Sequence, residues 1–323
     1  MDIVAPVALE QQPGARPAVV ARAVGLWGFG SRRSGEAVLL TTDGPLAGQI
    51  LGGSADERLQ AEATELLTGV RSTRLLDLRV ADGAAVVAGL ACGGVARVLL
   101  ERTELVPTGW WQAIVDREPV ALVTPLDEGP SRVVRPGDAP QAADRLAAEL
   151  LARGTGATEV FDDEAQVVEV WWPTPRVVVV GAAELAGAID RQASILGWDP
   201  VLDDGIDPAT TAEAVRTLGP ADAVIVLSHD PLTDAPALGA ALRGRVGFVG
   251  ALGSRRTQGR RRERLLSEGT SADLIDRIHG PVGLNLGART PEETALAICA
   301  EIVSTRSGRD ATSLKDTTGP ING

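Results

Sequence analysis

The sequence predicts an α/β protein of two domains: an N-terminal α+β domain, then a Rossmann-like domain with a doubly wound parallel sheet. Three observations carry that expectation. The first is a βαβ unit between Arg176 and Asp204. Its apolar run Val177–Val180 ends at Gly181, and a helical pattern (Leu185, Ile189, Ile195, Leu196) leads to a second short strand that finishes on Asp203 and Asp204. A glycine there lets the backbone approach a phosphate, the helix N-terminus favours an anion, and an acid about twenty residues on suits a ribose hydroxyl. The second observation is regular strand–helix alternation after Asp204, against mixed strands with few helices before it. The third is length, since 323 residues exceed what one compact core ordinarily holds.

Taken in order, residues 1–17 are expected to fray and the first domain to span 18–172. Strands are expected at Ala18–Leu26 and Ala37–Thr41, and Asp43-Gly44 is a hairpin turn signal. A helix over Ala55–Leu67 places Leu59, Ala63, Leu66 and Leu67 on one face, with Ser54 or Asp56 as its cap. Strands follow at Thr73–Val80, Ala84–Ala88 and Val95–Glu101, then a helix at Thr108–Asp116. Further strands at Val120–Pro125 and Arg132–Val134, a helix near Gln141–Ala152 and a strand at Val167–Trp171 complete this half. The prolines of Trp172-Pro173-Thr174-Pro175 mark the linker.

The second domain is expected over 176–306. After the βαβ unit come helices at Ala209–Leu218, Ala235–Leu242, Ser254–Glu268 and Ala272–Ile278, with strands at Ala223–Ser228 and Val246–Val249. Pro291 opens the last helix, with Glu292 and Glu293 in its first turn, where the helix dipole favours acids. Residues 307–323 read as a polar, disordered tail.

Composition narrows the function classes. A net charge of −12 argues against nucleic acid and anionic membrane surfaces as partners. Met1–Gly14 has neither the basic nor the apolar region of a signal peptide, and no 18-residue apolar window occurs. Two cysteines, Cys92 and Cys299, are too few for a disulfide framework, so a reducing cytoplasm is expected. Two histidines, His229 and His279, are too few for an all-protein zinc site.

Five constellations are candidates for chemistry, each beside a plainer alternative. Cys92 precedes Gly93-Gly94 in a tight turn, where a thiol could meet a ligand or carry sulfur, or be a small buried side chain. Cys299 lies in an apolar helical run and reads as core. Gly52-Gly53-Ser54 opens a helix as an anion cradle or as an ordinary turn. His229 and Asp230 follow a strand at the carboxyl edge where open α/β sheets bind ligands, and His279 lies in a loop of the same domain; both histidines read equally well as structural. Gly253-Ser254-Arg255 repeats the strand–turn–helix pattern. Behind it Arg256, Arg260 and Arg264 form a basic stripe at i, i+4 and i+8, suited to a phosphate, to an acidic partner, or to solvent.

Three further runs carry a family resemblance. They are Phe248-Val249-Gly250-Ala251-Leu252-Gly253-Ser254-Arg255-Arg256, then Arg277-Ile278-His279-Gly280-Pro281-Val282-Gly283-Leu284, then Gly287-Ala288-Arg289-Thr290-Pro291-Glu292-Glu293. With Ser228-His229-Asp230, the Gly181 turn, Cys92-Gly93-Gly94 and Gly52-Gly53, they occur in the order found in xanthine dehydrogenase accessory proteins, the XdhC/CoxI family. The chain resembles a divergent member over residues 18–306. It departs from the family pattern at Ser54, where a cysteine is usual, at Glu184, where a histidine is usual, and after Asp204, where an arginine is usual.

The resemblance implies a chaperone that holds molybdenum cofactor, as molybdopterin or its nucleotide form, and protects it from oxidation. Such a protein presents the cofactor to a cysteine desulfurase and delivers it to a molybdenum hydroxylase client. A homodimer is the assembly expected. On that reading Cys92 is the metal or sulfur contact. Gly52, Gly53, Ser54, Gly93, Gly94, Gly181, Ala182, Gly253, Ser254 and Arg255 take phosphate or line the cofactor, and His229 or His279 contacts the ligand. The alternative is an NAD-dependent oxidoreductase on the same scaffold, with Asp204 on the ribose and His229 or Glu184 handling protons. A ligand-free interaction module is a third reading.

Overall fold

The computed structural model describes residue 7 and residues 16–29, 35–90, 92–127, 129–138, 144–161, 165–181, 184–228 and 230–318. The chain divides into two compact units, Met1–Pro173 and Thr174–Gly323.

The first unit holds two antiparallel sheets. One has five strands in the order β3-β2-β1-β5-β4: β1 Val19–Trp27, β2 Ala37–Thr41, β3 Gly44–Gly48, β4 Thr73–Val80 and β5 Gly94–Arg102. Because side chains alternate along a strand, β1 feeds two cores. Val19, Ala21 and Ala23 pack with Leu59, Ala63 and Leu66 of helix α1 (Asp56–Thr68). Ala18 and Val20 face the other way, onto Trp110, Trp111 and Ile114 of a later helix and onto Val120, Leu122 and Trp171. Those last residues belong to the second sheet or border it. Its order is β7-β6-β9-β8, with β6 Val120–Pro125, β7 Arg132–Val134, β8 Ala157–Phe161 and β9 Gln166–Trp171.

Three expectations fail in this unit. The expected strand Ala84–Ala88 lies in a helix, α2 (Asp82–Val87). β4 and β5 pair directly up to Val80 and Gly94, so the segment between them projects beyond the hairpin with no neighbouring strand to join. Its alanines then favour a helical turn, closed by Ala85 N–H donating to Ala81 O at 2.9 Å. Neither Ser54 nor Asp56 caps α1. Ala55 is the N-cap, because a 3₁₀ turn at Leu51–Gly53 runs straight into the helix. Strand β8 departs from expectation altogether, since five half-buried residues pairing only with β9 carry no clear alternation. The helices α3 (Thr108–Val115) and α4 (Arg145–Ala152) fall where periodicity places them; Gln141–Ala143, the start of the expected fourth helix, lie outside the described residues.

The second unit is a five-stranded parallel sheet in the order β11-β10-β12-β13-β14: β10 Arg176–Val180, β11 Asp199–Asp203, β12 Ala223–Val226, β13 Phe248–Ala251 and β14 Ile278–His279. The three central strands are apolar along their length because helices cover both faces. On one face lie α6 (Pro208–Arg216), α7 (Pro231–Arg243), α8 (Arg255–Ser267) and α9 (Ala272–Ile275). The other carries α5 (Glu184–Ile195) and α10 (Pro291–Ser307). His279, expected in a loop, pairs through Gly250 with β13 instead. The stretch read as a disordered tail carries a 3₁₀ turn at Leu314–Asp316.

Candidate functional site

The strand order of the second unit has one topological switch point. From β10 the chain moves to β11 on one side, and from β11 it crosses back to β12 on the other. Open α/β sheets bind ligands outside the carboxyl ends of the strands at such a point. Gly181 stands there with φ +115°, and an added Cβ would lie 3.1 Å from Ser228 N, so the two strand ends meet at a glycine. Gly181 N–H donates to Asp203 O at 2.7 Å. The Asp203 carboxylate is spent locally, its Oδ1 accepting from Gly205 N–H and from Thr211 Oγ1, each at 2.8 Å. Asp204 is exposed, with Oδ1 accepting from Ile206 N–H at 2.9 Å. Asp230 caps α7 by accepting from Leu232 N–H at 3.0 Å. Glu184 opens α5 and is exposed. Ala182 and His229 lie outside the described residues.

The next strand end along the sheet carries Gly253 and Ser254. Gly253 has φ +124°, and Ser254 caps α8 through its Oγ, which accepts from Thr257 N–H at 3.2 Å. Both line a cavity of about 770 Å³ between α7 and α8, together with Thr257, Arg260 and Arg264. Its inner wall is fixed by Arg261. This buried side chain donates from Nη2 to Asp234 Oδ2 at 2.6 Å, and from Nη1 to Gln258 Oε1 at 2.7 Å and Leu252 O at 3.2 Å. Arg255 and Arg256 are exposed on the first turn and do not line the cavity.

The first unit holds two candidate turns, one at Cys92 and one at Gly52, and the second packs against Ala88. Cys92 is half-buried, and its Sγ–H donates to Gly28 O at 2.6 Å. Gly93 N–H donates to Asp82 Oδ1 at 2.9 Å. The glycines here serve close packing: a Cβ on Gly94 would lie 2.2 Å from Trp27 O, on Gly93 2.4 Å from Val80 O, and on Gly52 2.5 Å from Ala88 O. Gly53 is different, since its nearest neighbour is the Asp56 carboxylate. Ser54 Oγ and Asp56 Oδ1 are buried without a hydrogen-bond partner among the described residues, and burial pushes the Asp56 carboxyl up. An orphaned hydroxyl and an orphaned carboxylate oxygen fit a ligand that brings its own N–H donors.

The remaining candidates are structural. Cys299 is 1% exposed, and burial pushes its thiol up to about 11, so it stays protonated at neutral pH. His279 stacks on Phe248 with ring centroids 4.4 Å apart, and its Nδ1 sits 2.9 Å from Glu301 Oε1. Glu301 Oε2 accepts from Gly283 N–H at 2.6 Å. Burial alone would raise the Glu301 carboxyl, but the hydrogen bonds from His279 and Gly283 outweigh it and hold the group below the usual carboxylate value. A carboxyl depressed in the folded state stabilises the fold above its unfolded pKa, about 4.3, and loses that contribution as pH falls through the folded value. Glu301→Gln is therefore expected to reduce the loss of stability between pH 7 and pH 3, as read by denaturant unfolding at both. An unchanged difference would show that this pair does not set the acid limit.

Three residues of these sites escape a reading of the sequence. Asp56 reads only as a cap, and Arg261 lies off the i, i+4 stripe. Thr257 is legible only as the third residue after a serine N-cap. Among the described residues no group of three or more His, Cys, Asp or Glu side chains is placed to hold a metal ion.

The chain is similar to several known proteins. The model of the XdhC Rossmann domain matches residues 177–302, and that of the XdhC and CoxI family matches residues 13–78. The uncharacterized protein YqeB of Escherichia coli K12 is 29% identical over 167 residues, 47% of this chain and 30% of YqeB. The molybdenum cofactor insertion chaperone PaoD of the same strain is 34% identical over 134 residues, 42% of this chain and 41% of PaoD. The chain thus spans less than half the length of these two relatives. A Bacillus subtilis 168 protein, named as a probable subunit of xanthine dehydrogenase, is 26% identical over 320 residues, 90% of this chain and 93% of the relative.

Proposed function

Because this chain belongs to the XdhC and CoxI family, we propose that it binds molybdenum cofactor and delivers it to a molybdenum hydroxylase of the xanthine dehydrogenase type. The relative named as a molybdenum cofactor insertion chaperone supports the cargo. The observation that carries the site is the half-buried Cys92 thiol, held on a glycine-built turn with its Sγ–H on Gly28 O; the same unit also holds the orphaned Ser54 Oγ and Asp56 Oδ1.

The cofactor supplies the molybdenum and its dithiolene sulfur; this chain supplies binding and shielding. Cys92 offers the soft sulfur donor that molybdenum or a terminal sulfur prefers. Ser54 Oγ and Asp56 Oδ1 are acceptors for the amino and ring N–H groups of a pterin. Within the second unit taken by itself, Gly181, Gly253, Ser254 and Arg255 are the candidates for holding a phosphate, at strand ends and helix N-termini. A cysteine desulfurase as sulfur source, a cytoplasmic setting and a homodimer complete the proposal. The nicotinamide alternative is the weaker one, since Asp203 Oδ1 is taken by Gly205 N–H and Thr211 Oγ1, which leaves the exposed Asp204 alone for a ribose.

The test is to express the chain in cells that make the cofactor, isolate it without oxygen, and measure metal content and the mass of what travels with it. Molybdenum together with a pterin phosphate is expected. A chain that carries neither, from cells whose hydroxylase is active, would sink the reading.

A further inference from the structure

We infer that the cavity between α7 and α8 is a binding site for the phosphate or pyrophosphate group of a nucleotide-sized ligand, taken by Ser254, Thr257, Arg260 and Arg264. This rests on the phosphate assignment of Gly253 and Ser254 above. It adds the side chains that hold the group and a ligand class that needs no metal. A volume of about 770 Å³ lies within the range of small-molecule pockets, roughly 300–1,000 Å³.

The charge of the walls selects the ligand. The lining carries Arg260, Arg261 and Arg264 against Asp234 and Glu263, an excess of cation in a chain whose net charge is −12. Arg261 is committed to Asp234, which leaves the other two for a ligand. Arg260 has no acidic partner among the described residues, and Arg264 spends only its Nε on Glu268, at 2.9 Å. Both lie one turn apart on α8, on the face that carries Thr257. Ser254 and Thr257 add hydroxyls at the mouth, and the first-turn amides of a 13-residue helix lie beside them.

The inner wall gives an independent sign. The Arg261 side chain is 6% exposed, yet its Nε–H has no acceptor among the described residues. A buried guanidinium donor without a partner is costly, and it leaves a positive group incompletely compensated in the inner wall, which favours an anion in this cavity. The plainer reading of the basic stripe, a solvated face, holds for Arg256, which is off the cavity, whereas Arg260, also exposed, lines it.

The test titrates the full chain with inorganic pyrophosphate and, separately, with ADP, by calorimetry. Both are expected to bind. The Arg260→Ala/Arg264→Ala double variant should lose about tenfold or more for each, because it removes two charge-assisted contacts. Arg256→Ala should bind as the wild type does, and thermal unfolding of each variant checks that the fold survives. Tighter binding of ADP than of pyrophosphate would extend the site to the nucleoside, and equal binding would confine it to phosphate; either supports the inference. No binding of either probe, or equal affinity in the wild type and the double variant, overturns it. Molybdenum loading is scored separately, so pyrophosphate binding without loading would count against the proposed cargo alone.

Discussion

Arg22→Ala is expected to destabilise the first unit by about 3–5 kcal/mol, because it leaves buried carboxylates without their counter-charge. Arg22 sits on β1, on the face turned toward the second sheet, and is 2% exposed. Its Nη2 lies 2.7 Å from Glu101 Oε2, and its Nε lies 2.7 Å from Glu169 Oε2. Ser131 Oγ donates to Glu101 Oε1 at 2.6 Å and lies 2.8 Å from Thr124 Oγ1. One cation thus joins two acids from different sheets. Burial works against the charge of Arg22, but the fields of Glu169 and Glu101 prevail and its pKa is raised. Burial likewise pushes the Glu169 carboxyl up, and Arg22 opposes that rise.

Without the guanidinium, two acids would remain buried close together. Denaturant unfolding of the variant should show the loss, and the triple replacement Arg22→Met, Glu101→Gln, Glu169→Gln should recover most of it by removing all three charges. A loss below about 1 kcal/mol in Arg22→Ala would mean that water reaches the cluster and screens it.

Cys92→Ser is expected to cut cofactor transfer to the client by at least about tenfold, equivalent to ~1.4 kcal/mol of binding, while the fold remains intact. A hydroxyl is nearly isosteric with the thiol and still donates to Gly28 O, so the turn persists. It is a poor ligand for a soft metal or sulfur. Transfer is measured in a reconstituted assay with apo-hydroxylase, and unfolding midpoints are compared alongside. Equal transfer by both proteins would remove the thiol from the site. A large loss of stability with transfer retained would instead make Cys92 a packing residue like Cys299.

The sheet of the second unit is legible because it is built from local signals. Val177–Val180, Ala223–Val226 and Phe248–Ala251 are apolar runs that end at turn residues, and such runs are strands only when both faces are covered. The segment 82–87 is ambiguous because alanine and valine there fit strand or helix equally. What decides is that the neighbouring strands have already paired with each other. Strand β8 is hidden for the opposite reason: its pairing with β9 supplies an order that its own residues do not.

By itself the sequence determined the fold class, the family and the glycine turns at Gly52, Cys92, Gly181 and Gly253, since each depends on residues close in the chain. Only the tertiary structure decided what those turns do. It closed Gly52, Gly93 and Gly94 against backbone oxygens, set Cys92 on Gly28 across 64 residues, and left Ser54 Oγ and Asp56 Oδ1 without a hydrogen-bond partner among the described residues. It also spent Asp203 on Thr211, gave His279 to Glu301, and turned Arg260 and Arg264, but not Arg256, toward a cavity. The physical reason is that a side chain's chemistry depends on the acceptors, charges and water left around it. Those are supplied by segments far away in the chain, which local pattern does not encode.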